Sequence, residues 1–446
     1  MERRAVVIGA SIAGLLAARA LRDRFAHVTV LDKDELAGPE HARKAVPQGN
    51  HIHVIWSGGA SAIERLFPGL WDELQAAGAI AFDNSRDMRW FHKGVWKLRA
   101  PSGFVMYSQS RPLLEHRIRT RLEALANVEV RGACTVDALL WNDDRTAVRG
   151  VRALRRDGST EEIAADLVVD ASGRGSRAPD WLAEQDYPRP PETTVGIDLK
   201  YASRLYAIPQ DPRRDWQVMA VYGGPPDSRR AGVIFPIEGD RWIVTLSGCL
   251  GDHPPGDDAG FLDFARGLDQ PDLHAAIEHA TPLSPISLYG VPSERRRHYE
   301  AVARMPGGLV VIGDAACVFN PLYGQGVSVC ALEAEVLQGC VQRLASLETG
   351  ALSALPRDYY RAAAPVIGRA WLLATATDLL FPQARGTRPP GLGLFGWYNR
   401  QILEASSRNE AVLRRFLEVL HFLAPPSALF APSIVLQACR WAIARR

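Results

Sequence analysis

A chain of 446 residues with 47% hydrophobic and 23% charged side chains has the makeup of a folded globular protein, which excludes a disordered or collagen-like polymer. At roughly 150 residues per domain the length predicts about three structural units, enough for a large core and a buried cofactor pocket. Lys and Arg total 52 against 50 Asp and Glu, a net charge of +2, so no summed field recruits nucleic acid or steers strongly charged substrates.

Ala5 to Ile8 reads as a buried strand, Ile12 to Arg22 as a helix and Val28 to Leu31 as a second strand, a βαβ unit that calls for a parallel sheet. The same start, Met-Glu-Arg-Arg and then apolar Ala5 to Ala20, imitates a secretory signal. Its spaced glycines and the strand that follows argue against a cleavage site, so a cytoplasmic protein is expected. Gly9-Ala-Ser-Ile-Ala-Gly14 lies between strand and helix, and Asp32 closes the next strand, which is the setting of a dinucleotide site. There Gly9 permits the tight turn, Gly14 lets the helix pack on the sheet, the helix N-terminus faces a pyrophosphate and Asp32 binds a ribose hydroxyl. Ser11 replaces the usual middle glycine and is small enough to be tolerated. Alone, the pattern does not separate NAD from FAD.

In Arg43-Lys-Ala-Val-Pro47-Gln48-Gly49-Asn-His51-Ile-His53 the two histidines, at i and i+2 of an extended segment, point opposite ways, and no metal site is expected. Trp90, Phe91 and Trp96 around His92-Lys93-Gly94 predict a ribbon, Ser110 to Leu125 a helix and Val128 to Val130 a strand. Ala165 to Asp170 predicts another strand, ending in the glycine-rich turn Ser172 to Gly175. The pattern then changes. Val195, Ile197, Leu199, Tyr201 and Leu205 alternate with Gly196, Asp198, Lys200, Ala202 and Arg204, as in a half-buried antiparallel strand, and Glu238-Gly239-Asp240 joins two further strands as a hairpin. Gly308 to Ile312 returns to a buried strand, followed by a helix from Val327 to Leu344. Beyond Pro356 the chain is helical, interrupted by a Pro/Gly loop from Pro382 to Gly396. The six cysteines form no C-x-x-C pair and read as small buried hydrophobes in a reducing compartment.

The elements predict an α/β chain in which a Rossmann-like cofactor domain is assembled from residues 1–85, 110–186 and 301–345. A ribbon at 86–109 contributes to an inserted antiparallel-sheet substrate domain at 187–300, and a helical C-terminal region spans 346–446. Tyr201, Phe235 and Trp242 of the insert are the candidate substrate-pocket residues.

Leu309-Val-Val-Ile-Gly313-Asp314-Ala-Ala, then Asn320-Pro321-Leu-Tyr-Gly324-Gln-Gly326 and a helix, adds a second motif. Together with Gly9 to Gly14 it resembles the FAD-dependent monooxygenases built like para-hydroxybenzoate hydroxylase and squalene epoxidase. The resemblance implies that Gly313 and Asp314 hold the ribityl chain and that Pro321, Gly324 and Gly326 lie near the isoalloxazine. Arg111, heading Arg111-Pro-Leu-Leu-Glu, would reach the FAD phosphate and ribose. In Asp170-Ala-Ser-Gly-Arg-Gly-Ser-Arg177 the family's Asp-Gly position is Ser172, which weakens direct use of NAD(P)H and points to a separate flavin reductase as the alternative. The loop from Arg43 to His53, with Ile63-Glu-Arg-Leu-Phe-Pro-Gly69 and Phe235-Pro-Ile-Glu-Gly239, is similar to bacterial olefin epoxidases of polyether polyketide biosynthesis and implies that Arg43 touches the flavin.

The implied activity is insertion of one oxygen atom from O2 through a flavin hydroperoxide, by epoxidation of alkenes in a large apolar polyketide or terpenoid. Aromatic hydroxylation of a phenol or quinone, hydride transfer as in polyprenyl reductases, and flavin binding without catalysis stay open as alternatives. Because an alkene needs no deprotonation and the flavin carries the chemistry, no side chain is assigned as catalytic. There is no G-x-S-x-G elbow, P-loop or halogenase motif. Uncharged Phe422 to Cys439, followed by Trp441 and Arg445-Arg446, could touch a membrane, but Pro425, Pro426 and Pro432 favour a lid or core role.

Overall fold

A five-stranded parallel sheet organises the cofactor half, in the order Leu309–Val311, Leu167–Asp170, Arg4–Ile8, His27–Leu31, Val128–Arg131. The chain is described by a computed structural model that covers residues 2–36, 38, 43–44, 46–344 and 349–444, the side chains of 349–351 and 439–444 excepted. The side chains of Cys439 and Trp441 and the pair Arg445-Arg446 therefore lie outside the described residues, whereas Cys134, Cys249, Cys317, Cys330 and Cys340 are buried free thiols. Strands brought together from such distant segments need long crossovers, because parallel neighbours cannot be joined by a tight turn. Their runs are apolar almost throughout since both faces are covered. Helices Ile12–Leu21 and Gly326–Arg343 pack on each other over one face.

Three antiparallel strands, Cys134–Trp141, Val148–Arg155 and Thr160–Ala164, form a small sheet beside this one that the hydrophobic pattern alone does not announce. Its turns, exposed at Asp143 to Thr146 and at Asp157-Gly158, are its legible signals.

The second large sheet has eight strands, in the order Cys317–Val318, Ser287–Arg297, Glu192–Ala207, Arg241–Gly248, Ser228–Ile237, Val218–Gly224, Met88–His92, Val95–Trp96. Most of its ladders are antiparallel, but Met88–His92 pairs parallel with Val218–Gly224, so the Trp90-Phe91 ribbon enters the sheet as a full strand. Alternation along Glu192–Ala207 breaks at an irregularity between Gly196 and Leu199. The half-buried expectation is also corrected, because both faces of the sheet are covered. On one face Met219, Val221, Trp242, Val244 and Leu246 pack on helices Asp258–Arg266 and Asp272–Ile277. On the other, Val218, Ala220, Val233, Phe235 and Ile243 meet Leu413 and Leu417 of helix Glu410–Leu420.

The C-terminal region comprises a 30-residue helix, Thr349–Asp378, that contains Pro356 and Pro365, and helices Leu392–Ala405, Glu410–Leu420 and Pro432–Ala444. The Pro/Gly loop ends earlier than the sequence suggests, at Gly391 (φ 79°), which starts the next helix. Two buried polar side chains pin this region to the rest. Lys97 Nζ donates to Leu403 O and Ser406 Oγ, each at 2.7 Å, at the end of helix Leu392–Ala405. The His421 ring lies 2.7 Å from Ser57 Oγ at Nδ1 and 2.9 Å from Asn84 Nδ2 at Nε2. Ile434 and Ala438 are buried against Tyr398 and Ile402, so Phe422 to Ala438 contributes to a core in part. Among the described residues no helix is long and apolar enough to cross a membrane.

His421 is fully buried, and removing its ring strands polar groups on two other elements. His421→Ala is expected to lower stability by about 1–3 kcal/mol. A reduced urea midpoint at unchanged slope checks this.

Candidate active site

A cavity of about 640 Å3 opens at the carboxyl ends of the parallel strands, where Ile8-Gly9, Leu31-Asp32, Ala171-Ser172 and Asp314 leave the sheet. This is the place where ligands bind open α/β sheets. Lys33, Cys134, Thr135 and Val136 line it near Asp32. Ser11 and Ala13 line its middle, and His51, Val54, Tyr201, Tyr289, Val291, Val318, Pro321, Gly324 and Gly326 line the part facing the eight-stranded sheet.

The first turn has the geometry that the glycines require. Gly9 has φ 104°, and a Cβ there would meet Ala171 O at 2.5 Å. A Cβ on Gly14 would come within 1.8 Å of Gly9 O, so the helix seats directly on the turn. Ser11 is the N-cap residue, yet its side chain makes no capping bond; it lies 3.1 Å from Glu115 Oε2 and accepts from Arg111 Nη2 at 2.9 Å. The first-turn N–H groups therefore have no side-chain cap, which leaves them available to an anion.

Glu115 is the hub of this corner. It accepts from Arg43 Nε at 2.8 Å, pairs with Arg43 Nη2 at 2.7 Å and pairs with Arg111 Nε at 3.4 Å. Arg43 also pairs with Asp32 at 2.9 Å and donates to Ala10 O at 3.0 Å. Burial alone would lower the Arg43 guanidinium, but the charges of Glu115 and Asp32, with hydrogen bonds to both, hold it above its ordinary value. Asp32 is further fixed by Ala10 N–H (2.6 Å) and Asp34 N–H (2.9 Å). Arg43 is not among the residues that line the cavity; its guanidinium pairs with Glu115 and with Asp32, which does line it. Arg111 does line it.

The second motif meets the first across the cavity. Gly313 packs so tightly on the first helix that a Cβ would lie 2.7 Å from Ala13 Cβ, and its N–H donates to buried Glu333 at 3.3 Å. Burial raises Glu333 to about 8. Asp314 faces the cavity, and burial raises its carboxyl too. In the turn that follows, Gly324 (φ 62°) has Val54 against it, where a Cβ would approach to 2.8 Å, while Gly326 has nothing within 4 Å of where its Cβ would be.

At Asp170 to Arg177, Ser172 Oγ donates to Asp170 at 2.5 Å, and Ser176 Oγ donates to the same carboxylate at 2.6 Å. Arg174 and Arg177 line the cavity, the former with its guanidinium 5.0 Å from the Tyr289 ring centre. Of the candidate pocket residues, Tyr201 lines the cavity, Phe235 is buried on the same sheet's face toward helix Glu410–Leu420, and Trp242 is not brought to them. Its ring points through the opposite face and stacks on Trp216 at 5.5 Å, which makes it core.

Two further buried carboxylates, Glu115 and Glu333, hold the site and carry no motif of their own in the sequence. Glu115 stands one helical turn after Arg111, which is its signal; Glu333 has no local signal, being one carboxylate in an amphipathic helix. His51 and His53 also line the cavity, and among the described residues no cluster of His, Cys, Asp or Glu is arranged to hold a metal ion.

Comparison with known proteins agrees with this geometry. A family model described as FAD binding domain matches residues 2–370. The protein Rv3254 of Mycobacterium tuberculosis is 34% identical over 96% of this chain and 91% of its own length. Squalene epoxidase 1 of Arabidopsis thaliana is 22% identical over 84% and 66%, and 3-amino-4-hydroxybenzoate 2-monooxygenase of Streptomyces cremeus is 27% identical over 76% and 78%. A flavoprotein/dehydrogenase structure from Cytophaga hutchinsonii superposes with a TM-score of 0.71, at 13% identity over 100% of both chains. The chain belongs to the FAD binding domain family, and the parallel sheet, inserted antiparallel sheet and helical C-terminal region are the fold of these flavoproteins.

The site's residues fit FAD: an uncapped helix N-terminus for the pyrophosphate, a carboxylate at the end of the second strand, and a turn whose Gly326 leaves backbone open to a flat ring. Glu115→Ala would leave Arg43 and Arg111 as buried, under-compensated cations, at an expected loss of about 3–5 kcal/mol. Chemical denaturation with and without FAD checks both that loss and a weaker ligand-induced gain in stability.

Proposed function

We propose that this protein is an FAD-dependent monooxygenase that epoxidises a carbon–carbon double bond of a large apolar small molecule. The observation that carries the reading is the character of the cavity beside Pro321 and Gly324. Ile52, Val54, Val291, Val318 and Phe319 wall it, and the two imidazoles there are kept uncharged by burial, His51 falling to about 4 and His53, with Arg111 adding to the effect, to about 3. The aliphatic wall and the uncharged imidazoles suit an alkene, which needs neither acid nor base. The relationship to a squalene epoxidase supports the same direction.

Bound FAD, once reduced, supplies activation of O2 and transfer of one oxygen atom. The protein's part is to bind and orient. The N–H groups of the first helical turn receive the pyrophosphate, Asp32, aligned by Arg43, receives the ribose, and Asp314 receives the ribityl hydroxyls. Pro321, Gly324 and Gly326 present backbone to the ring, and the valine and isoleucine wall excludes water. The electrons come from NAD(P)H, directly or through a separate flavin reductase; Ser172 at the position where the resembling family carries an acidic residue supports the second route.

A second reading, hydroxylation of a phenol, is favoured by one arrangement: His51 Nδ1 lies 2.7 Å from Ser203 Oγ, which lies 2.6 Å from Thr245 Oγ1. Such a chain of hydroxyls can move a phenolic proton.

Reduced holoprotein given O2 and candidate alkenes is expected to form a product heavier by one oxygen, which acid opens to a diol; a product stable to acid with a phenolic spectrum selects the second reading. His51→Gln separates them further. Epoxidation is expected to change by no more than about twofold, whereas loss of a general base from a phenol hydroxylation lowers kcat by about 10²–10⁴.

A further inference from the structure

The His51 side chain, at 3% exposure, lines the cavity over one face of the eight-stranded sheet. On that face Ser203 stands opposite Thr245 of strand Arg241–Gly248, and two residues away Tyr201 stands opposite Tyr289 of strand Ser287–Arg297. The imidazole packs against Tyr201 and Tyr289, with ring centres 6.0 Å and 5.5 Å away, and its Nδ1 lies 2.7 Å from Ser203 Oγ. Ser203 Oγ lies in turn 2.6 Å from Thr245 Oγ1. His51 Nε2, the nitrogen away from Ser203, is buried and has no partner among the described residues.

Counting hydrogens fixes the direction of this chain. Ser203 and Thr245 are both buried, and each hydroxyl has one hydrogen to place. If Nδ1 carried the ring hydrogen, it would donate to Ser203 and Ser203 to Thr245. The Thr245 hydrogen would then be stranded within the sheet, with no acceptor among the described residues. In the other direction Thr245 donates to Ser203, Ser203 donates to Nδ1, and both hydroxyl hydrogens are used. The ring hydrogen then sits on Nε2, because the bond made by one imidazole nitrogen decides the state of the other. The single donor left over belongs to a ring that lines the cavity. A buried donor without an acceptor is costly, and a bound molecule that supplies one removes the cost.

We propose that His51 is a specificity-determining residue whose Nε2–H donates to an accepting oxygen of the substrate, with Ser203, itself fixed by Thr245, as the positioning residue that keeps the proton on that nitrogen. The substrate is then an alkene that carries a ketone, ester or ether oxygen, since a pure hydrocarbon leaves the donor stranded. The inference rests on reading this part of the cavity as the place of an apolar alkene, and it names the polar feature that such a molecule brings. Ile52, Val54 and Val291 in the same wall are aliphatic, so one donor among them sets orientation. In this state Nε2 has no lone pair to receive a phenolic proton. The chain whose contacts suit phenol hydroxylation therefore favours the alkene by its direction.

Two measurements on the FAD-loaded protein test this. Nitrogen NMR of 15N-histidine-labelled wild type, with His51→Gln to assign the resonance, reads which ring nitrogen holds the proton. Nε2 is expected, and Ser203→Ala, which frees Nδ1, is expected to populate both tautomers. Binding is then followed by the flavin absorption spectrum with two probes, farnesylacetone and the hydrocarbon in which a methylene replaces its carbonyl oxygen. Wild type is expected to prefer the ketone by about tenfold, the scale of one buried hydrogen bond. His51→Gln, whose amide offers an N–H, is expected to keep at least about threefold of this preference, and His51→Phe to bind the two probes within about twofold of each other. A proton on Nδ1 of wild type overturns the proposal, as does equal affinity of wild type for the two probes, whether tight, weak or absent; neither result needs a substituted ring to fold. A single unchanged tautomer in Ser203→Ala overturns the positioning role. A His51→Phe protein that loses FAD affinity while it keeps the ketone preference places the donor on the flavin and overturns the substrate contact. Alkenes that yield no oxygenated product, with the proton on Nε2 and the ketone preferred, overturn the epoxidase reading and not the His51 contact.

Discussion

The cofactor half of this protein depends on keeping Glu115 charged in a place with almost no water. Helix Arg111–Glu123 carries it inward, where it meets Arg43 from the loop after the second strand and Arg111 from one turn earlier. A buried carboxylate costs several kcal/mol unless it is fully paired. The two arginines pair it, and each then reaches on, Arg43 to Asp32 and Ala10 O and Arg111 to Ser11. One solvation problem thereby ties three separate segments into a fixed relation around the turn at Gly9. The shape of the cavity is a by-product of that pairing.

The same logic recurs on the other side of the cavity with neutral partners. Glu333 takes the Gly313 N–H and the Tyr359 hydroxyl, and the pair Glu294 and Asp378 takes Asn320 and Tyr323. In each case a carboxyl on a regular element holds a glycine-rich turn, whose own residues are chosen for what they leave open. Loops that must present backbone to a ligand cannot also carry the side chains that fix them, so the fixing groups come from the elements behind.

What the sequence disclosed follows from this division. Gly9, Gly14, Gly313 and Gly324 are legible because their conformation or close packing admits no side chain, and such constraints are local. The βαβ start and the alternating strand at Tyr201 are legible because periodicity is local too. Trp242 illustrates the limit: an aromatic residue in the insert has two faces to choose between, and helix Asp258–Arg266, which follows later in the chain, decides. Arg43 illustrates another, since the motif places it near the cofactor while a distant glutamate determines what its guanidinium binds. Glu294 and Asp378 are 84 residues apart in number, and that both bond to Asn320 has no trace in either neighbourhood.

The order of strands in the parallel sheet bears on how the chain is made. Leu309–Val311 occupies one edge beside Leu167–Asp170, and five of the eight strands of the second sheet, Glu192–Ala207 to Ser287–Arg297, lie between them in sequence. On the ribosome, the first strands must wait until about two-thirds of the polypeptide has emerged before that edge is closed, and meanwhile Leu167–Asp170 presents unpaired backbone and an apolar face. Contacts of such long separation form slowly. The nascent chain is therefore a natural client for chaperones until Gly308 to Ile312 arrives, and a ribosome pause beyond that point would matter far less than one before it.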